Sequence, residues 1–166
     1  LGGLEPVLGE LEDLTRLTIV GCGSAYYAGQ VGKYMLEEYA GIPTDVELGS
    51  EYRYKKNIPD PKSAVLAVTQ SGETADTLAS IREGKELGLL TLGIVNAVGS
   101  TIARETDAGV YNHAGPEIGV ASTKAFISQL EVFALLTLLI GRERGMKCEE
   151  GKQIVKAIQE LPEYVE

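Results

Sequence analysis

Three short apolar runs set the rhythm of the chain: Leu17–Cys22, Ala64–Val68 and Leu89–Val95. Each is strand-length and ends in small or polar residues, respectively Gly21-Cys22-Gly23, Thr69-Gln70-Ser71-Gly72 and Asn96. Stretches of helix length lie between them. Ala25–Tyr39 is amphipathic, and Gly41 and Pro43 mark its end. Thr74–Leu87 places Thr77, Leu78, Ile81 and Leu87 near helical spacing and stops at Gly88. Weaker strand patterns occur at Thr44–Leu48 and Ala108–His113. Continuous apolar strands alternating with helices predict a parallel sheet covered on both faces, here with five strands and right-handed crossovers.

The last third reads as helical. Ala121–Ile140 is apolar almost all round, interrupted mainly by Lys124, Gln129 and Glu131, which predicts a buried helix closed by Gly141. Met146–Leu161 is more polar, with Pro162 at its end. The first 16 residues, with four acids and one Arg, read as a lead-in helix or a linker. No internal repeat is visible.

Composition narrows the function. A chain of 166 residues makes about one domain with a real core. It carries 15 Lys and Arg against 24 Asp and Glu, a net charge of −9, which argues against a general nucleic-acid binder. The longest apolar stretch, Val132–Ile140, is too short to span a bilayer, and no leader-like segment opens the chain, so a soluble cytoplasmic protein is expected. Two cysteines and one histidine leave no disulfide framework, no four-thiolate zinc site and no multi-histidine metal site. Residue 1 is Leu, so the chain is expected to be a piece of a longer protein.

In an open parallel sheet ligands bind beyond the carboxyl ends of the strands, so the chemistry is sought in the following loops. Gly21-Cys22-Gly23-Ser24-Ala25-Tyr26 begins like a dinucleotide fingerprint but has Tyr26 where a small residue must pack, which disfavours a nucleotide cofactor. A tight turn and an anion-binding helix start both remain open for it, with Gly23 allowing close approach. Thr69-Gln70-Ser71-Gly72-Glu73-Thr74 gathers three hydroxyls and an amide at a strand-to-helix junction. Such a neutral cradle suits a phosphate monoester; plain capping by Ser71, with Glu73 favouring the helix dipole, is the structural alternative. Gly115–Lys124 is a long loop ending in Ser-Thr-Lys at the start of the apolar helix, and could form another wall of the same pocket. His113 lacks an evident nucleophile partner, Cys22 reads as a small buried residue, and Arg53, Lys55 and Lys56 read as a solvated basic cluster.

Taken in series, Cys22-Gly23-Ser24-Ala25-Tyr26-Tyr27-Ala28-Gly29, Gln70-Ser71-Gly72-Glu73-Thr74-Ala75-Asp76-Thr77-Leu78 and Glu117-Ile118-Gly119-Val120-Ala121-Ser122-Thr123-Lys124-Ala125-Phe126 resemble the first sugar-isomerase (SIS) domain of the glutamine–fructose-6-phosphate aminotransferases, the glucosamine-6-phosphate synthases. The resemblance runs from about Leu17 to Ile140. It implies a three-layer α/β/α fold with a five-stranded parallel sheet in the flavodoxin-like order 2-1-3-4-5. It also implies that Thr69, Gln70, Ser71 and Thr74 hold the phosphate of fructose 6-phosphate or glucosamine 6-phosphate. Gly23 and Ser24 would border the sugar, and Val120 and Ser122 would line its other side. The family usually has Thr-Ser where this chain has Ser24-Ala25, and Ser is common where Thr69 stands, so one hydroxyl contact is missing at Ala25.

The family reaction further requires a glutaminase domain and a second SIS domain, neither of which fits here. The resemblance therefore implies a SIS domain over 17–141, followed by a helix over 142–166 leading to the second SIS domain. It implies no metal or organic cofactor, a homodimer, and no activity from this piece alone. A related deglycase or aldose–ketose isomerase and a non-catalytic sugar-phosphate sensor share these loops and remain alternatives.

Overall fold

The computed structural model describes residues 1–58, 60–119 and 121–165. A 3-10 segment, Gly2–Val7, leads into α1 (Leu8–Glu12). The strands are β1 (Arg16–Gly21), β2 (Thr44–Leu48), β3 (Ser63–Thr69), β4 (Leu90–Val95) and β5 (Ala108–Tyr111). Between and after them lie α2 (Ser24–Ala40), α3 (Gly49–Tyr52), α4 (Ala75–Glu86), α5 (Thr101–Glu105), α6 (Lys124–Glu143) and α7 (Cys148–Val165). The five strands pair in parallel in the order β2-β1-β3-β4-β5, as the resemblance implied.

The central strand explains the layering. Every residue of β3 is buried, and successive side chains point to opposite faces. Ala64, Leu66 and Val68 join one core with Leu17, Ile19, Leu36, Phe133 and Leu136; Val65 and Ala67 join the other with Val20, Ile81 and Ile102. So α2 and α6 cover one face, and α3, α4 and α5 the other. The opening segment belongs to the first core, through Leu4, Val7, Leu11 and Leu14.

Close contact between α2 and α6 depends on Gly32. A Cβ there would lie 2.4 Å from Phe133 Cδ1, and Phe133 is fully buried. At the end of the sheet where the strands begin, Arg144 fastens three chain segments. Its guanidinium donates to the carbonyl oxygens of Ala40 at 3.1 Å, Glu12 at 2.8 Å, Leu14 at 2.9 Å and Gly41 at 3.3 Å.

Several boundaries differ from the sequence reading. The expected helix over Ala121–Ile140 starts at Lys124 and continues through Gly141, which is buried where a Cβ would meet Met146 Cε at 2.3 Å. Pro162 lies inside α7 rather than beyond it. The last strand stops at Tyr111, and His113 adopts a left-handed φ of 49°, which ends extended pairing. The 20 residues of α6 are, by length and hydropathy alone, enough to cross a membrane, although no single apolar run is. Packing favours a core role, since Ala125, Val132, Phe133, Leu136 and Ile140 are buried against the sheet and α2.

Gly32→Ala tests the helix contact. In an ordinary helix interior the change stabilises by about 1 kcal/mol. Here overpacking against Phe133 should win, with a net loss of ~1–3 kcal/mol in urea denaturation. The double variant Gly32→Ala, Phe133→Leu should recover part of that loss.

Candidate functional site

The strand order places a switch between β1 and β3. Their carboxyl ends are neighbours, with Gly21 beside Val68. The chain leaves β1 for α2 on one face of the sheet and leaves β3 for α4 on the other, which opens a crevice between the two loops. The thiol of Cys22, half-buried rather than fully so, lies 3.7 Å from Thr77 Oγ1 and joins the loop after β1 to the first turn of α4.

The loop after β3 is held in shape largely from within. Thr69 Oγ1 accepts a hydrogen bond from the Gly72 N–H at 3.1 Å, and Ser71 Oγ accepts from the Glu73 N–H at 3.2 Å. Ser71 is therefore not the N-cap of α4. Thr74 occupies that position, in extended conformation, with no side-chain cap hydrogen bond. Because Thr69 and Ser71 serve here as acceptors, each hydroxyl keeps its own proton to donate. Gly72 has φ +67°, and a Cβ there would come within 1.9 Å of Ser100 Oγ, so no other residue fits.

Five helices begin at this edge of the sheet; the four-residue α3 has no side-chain cap, and the other four differ in how their first N–H groups are met. The five-residue α5 is met by Glu73, whose Oε1 accepts from the Thr101 N–H at 2.7 Å. The start of α6 is met by Glu117, whose Oε1 accepts from the N–H groups of Thr123 at 2.8 Å and Ala125 at 3.3 Å. The other oxygen of Glu117 accepts from Ser122 Oγ at 3.0 Å. The bond to the Thr101 N–H holds the Glu73 carboxyl below the ordinary glutamate range, and the bond to the Thr123 N–H does the same for Glu117. In contrast, no side chain among the described residues caps α2, which starts at Gly23 with φ +59°, or α4. The open N–H groups of α2 and α4 border the switch point, and both helix dipoles favour an anion there. Asp76, an acid in the first turn of α4, is paired with Arg53 at 2.7 Å.

The sequence-derived residues thus fall into three groups. Gly23, Ser24, Thr69, Gln70, Ser71 and Thr74 lie on the two loops that flank the switch. Ser122 is on the third loop, with its hydroxyl given to Glu117. Val120 lies outside the described residues. Arg53 and Lys55 are not free cations: Lys55 pairs with Glu47 and sits 5.5 Å from the Tyr52 ring centre.

The asparagines that bind the loops together escaped the sequence reading. Asn96 donates its N–H to Thr69 O at 3.3 Å and its side-chain Nδ2 to Gly115 O at 2.8 Å. Asn112 Nδ2 donates to Ser128 Oγ at 2.5 Å. An Asn directly after each of two strands was the available signal. Among the described residues no cluster of His, Cys, Asp and Glu could hold a metal ion. A cavity of about 910 Å³ lies elsewhere, between α6 and α7, and is lined by Leu135, Leu138, Leu139, Met146 and Val155.

A parallel sheet with an anion-receptive switch point is the plan of a ligand-binding α/β domain, and the SIS domain model matches residues 10–139. The chain belongs to the SIS domain family. It is 46% identical to a glutamine–fructose-6-phosphate aminotransferase (isomerizing) of Chlorobaculum tepidum over 99% of this chain and 27% of that protein. The corresponding Thermus thermophilus enzyme is 46% identical over 93% of this chain and 26% of its own. Among solved structures, the C-terminal domain of glucosamine-fructose-6-phosphate aminotransferase from Francisella tularensis superposes with a TM-score of 0.87 at 40% identity, over 95% of this chain and 44% of that one. The chain spans about a quarter of the length of these curated relatives.

Glu117 makes the third loop sensitive to pH. Its folded carboxyl titrates below the unfolded value, so its stabilising contribution is present above the ordinary glutamate range, about pH 4.3, and is lost as pH falls through the lower folded value. Glu117→Gln should melt below the wild type at pH 7. The gap should close in thermal melts below about pH 4.

Proposed function

We propose that the chain is the first SIS domain of a glutamine–fructose-6-phosphate aminotransferase, the part that holds the phosphate end of the sugar. In this reading the whole enzyme, cytoplasmic and homodimeric, converts fructose 6-phosphate and glutamine to glucosamine 6-phosphate and glutamate. Residues 17–141 form the sugar-phosphate domain, and 142–166 lead to a second SIS domain. A glutaminase domain elsewhere in the parent chain supplies ammonia.

The observation that carries this reading is the pair of uncapped helix starts, α2 and α4, flanking a hydroxyl-rich loop at the switch point. The Ser71 and Thr74 hydroxyls, the Gln70 amide and the open N–H groups of α4 supply donors to phosphate oxygens. Gly23 and Ser24 let the sugar lie against the start of α2, and Ser122 borders it from the third loop. Val120 completes that side by resemblance alone.

Binding and turnover separate in this arrangement. Glu73 and Glu117 are both committed to backbone N–H groups, and Asp76 is paired with Arg53. His113 is exposed, and its ring lies 6.0 Å from that of Tyr111. No acid–base pair is assembled here among the described residues, and isomerisation requires one. The proposal is therefore that the chain binds sugar phosphate and leaves proton transfer to residues of another domain.

Calorimetric titration of the protein with fructose 6-phosphate, glucosamine 6-phosphate and NAD tests the assignment. Either sugar phosphate should bind and NAD should not. Replacing Ser71 and Thr74 together by Ala should weaken sugar-phosphate binding by at least about tenfold, as expected for two lost hydrogen bonds to a charged group. Binding of NAD without either sugar phosphate would overturn the reading.

A further inference from the structure

We propose that Glu73 is a positioning residue, whose carboxylate, by accepting the Thr101 N–H, holds the loop after β3 in the shape that presents Ser71 and Thr74 to phosphate. The inference rests on the sugar-phosphate reading above and adds a residue that does not itself touch the ligand.

Successive ties run along the loop to the same neighbouring segment. The Thr69 carbonyl accepts from the Asn96 N–H at 3.3 Å, and the Gln70 carbonyl from the Ala97 N–H at 3.1 Å. The Gly72 carbonyl accepts from the Ile102 N–H at 3.0 Å, and Glu73 Oε1 from the Thr101 N–H at 2.7 Å. The ties thus alternate with Ser71 and Thr74, the two residues left to face outward. Glu73 is the only side chain among the four anchors, and it sits between them.

Charge gives the same placement a second purpose. A free carboxylate beside a phosphate site would repel the ligand. Glu73 is instead turned onto the start of α5, where Arg104 stands close: Arg104 Nη2 donates to Thr101 Oγ1 at 3.2 Å. The nearby Glu105 is itself engaged by Arg82 at 2.6 and 2.8 Å. The acid is thus kept at the site while its charge is drawn away from the crevice.

A plain helix cap would affect stability alone, so the test reads affinity and stability together. Wild type, Glu73→Gln, Glu73→Asp and Glu73→Ala are titrated with fructose 6-phosphate and melted without it. Gln keeps an acceptor at the same reach and should retain most of the affinity. Asp is one methylene too short and Ala has no acceptor, so both should bind about tenfold more weakly. Thr101→Pro supplies an independent probe. It removes the N–H at the first helical position, which Pro tolerates, and Ser100 already has the extended φ −66°, ψ 167° that a following Pro requires. It should weaken binding as Ala does.

Equal affinity across the series would overturn the inference, as would a Gln variant as weak as Ala. Losses that merely track the melting temperature would make Glu73 a structural cap and also overturn it. A cooperatively folded wild type that binds neither sugar phosphate would instead sink the functional reading, and this inference with it.

Discussion

The backbone N–H groups at a helix start must find acceptors, and in this fold four helices, besides the four-residue α3, begin along one edge of a buried sheet. How each start is met decides what the protein can bind. Two are met by carboxylates of the chain itself, Glu73 and Glu117. Two are left open, at the point where the strand order reverses. That open pair is where the proposed anion would be met, because Glu73 and Glu117 already occupy the starts of α5 and α6. In a chain with a net charge of −9 this local arrangement matters, since the overall field opposes a phosphate.

The rest of the architecture keeps the two open starts in place. The wholly buried β3 fixes its loop in height beside β1. Phe133 seated over Gly32 sets how near α2 lies to α6, and hence where α2 begins. Asn96 binds the end of β3 to the third loop, and Asn112 ties the end of β5 to α6. The loop after β3 is tied down by backbone hydrogen bonds and is bordered by the longer loop carrying Glu117 and Ser122.

Much of this was legible in the residues. The apolar runs gave strands on their own, because a strand buried on both faces has no room for polar alternation. The hydroxyl cluster from Thr69 to Thr74 stood out because capping needs only one hydroxyl. What escaped notice was non-local. α3 and α5 are too short to show a period and are held by tertiary bonds, such as Ser80 Oγ to Gly49 O at 3.3 Å. The start of α6 was misplaced because its cap comes from Glu117, six residues before Thr123. Gly141 reads as a stop in sequence, yet serves as a close-packing position beside Met146. Ser71 and Glu73 looked like a cap for α4, whereas Glu73 in fact caps the next helix.

The central claim is that phosphate meets the starts of α2 and α4 and not those of α5 and α6. The most direct measurement is the amide ¹H–¹⁵N spectrum of the protein during titration with fructose 6-phosphate. Amides of Gly23 to Ala25 and Ser71 to Thr77 should shift strongly and saturate together, while those of Thr123 and Ala125, already bound to Glu117, should move little. Large shifts at the start of α6 with none at α2 and α4 would contradict the account.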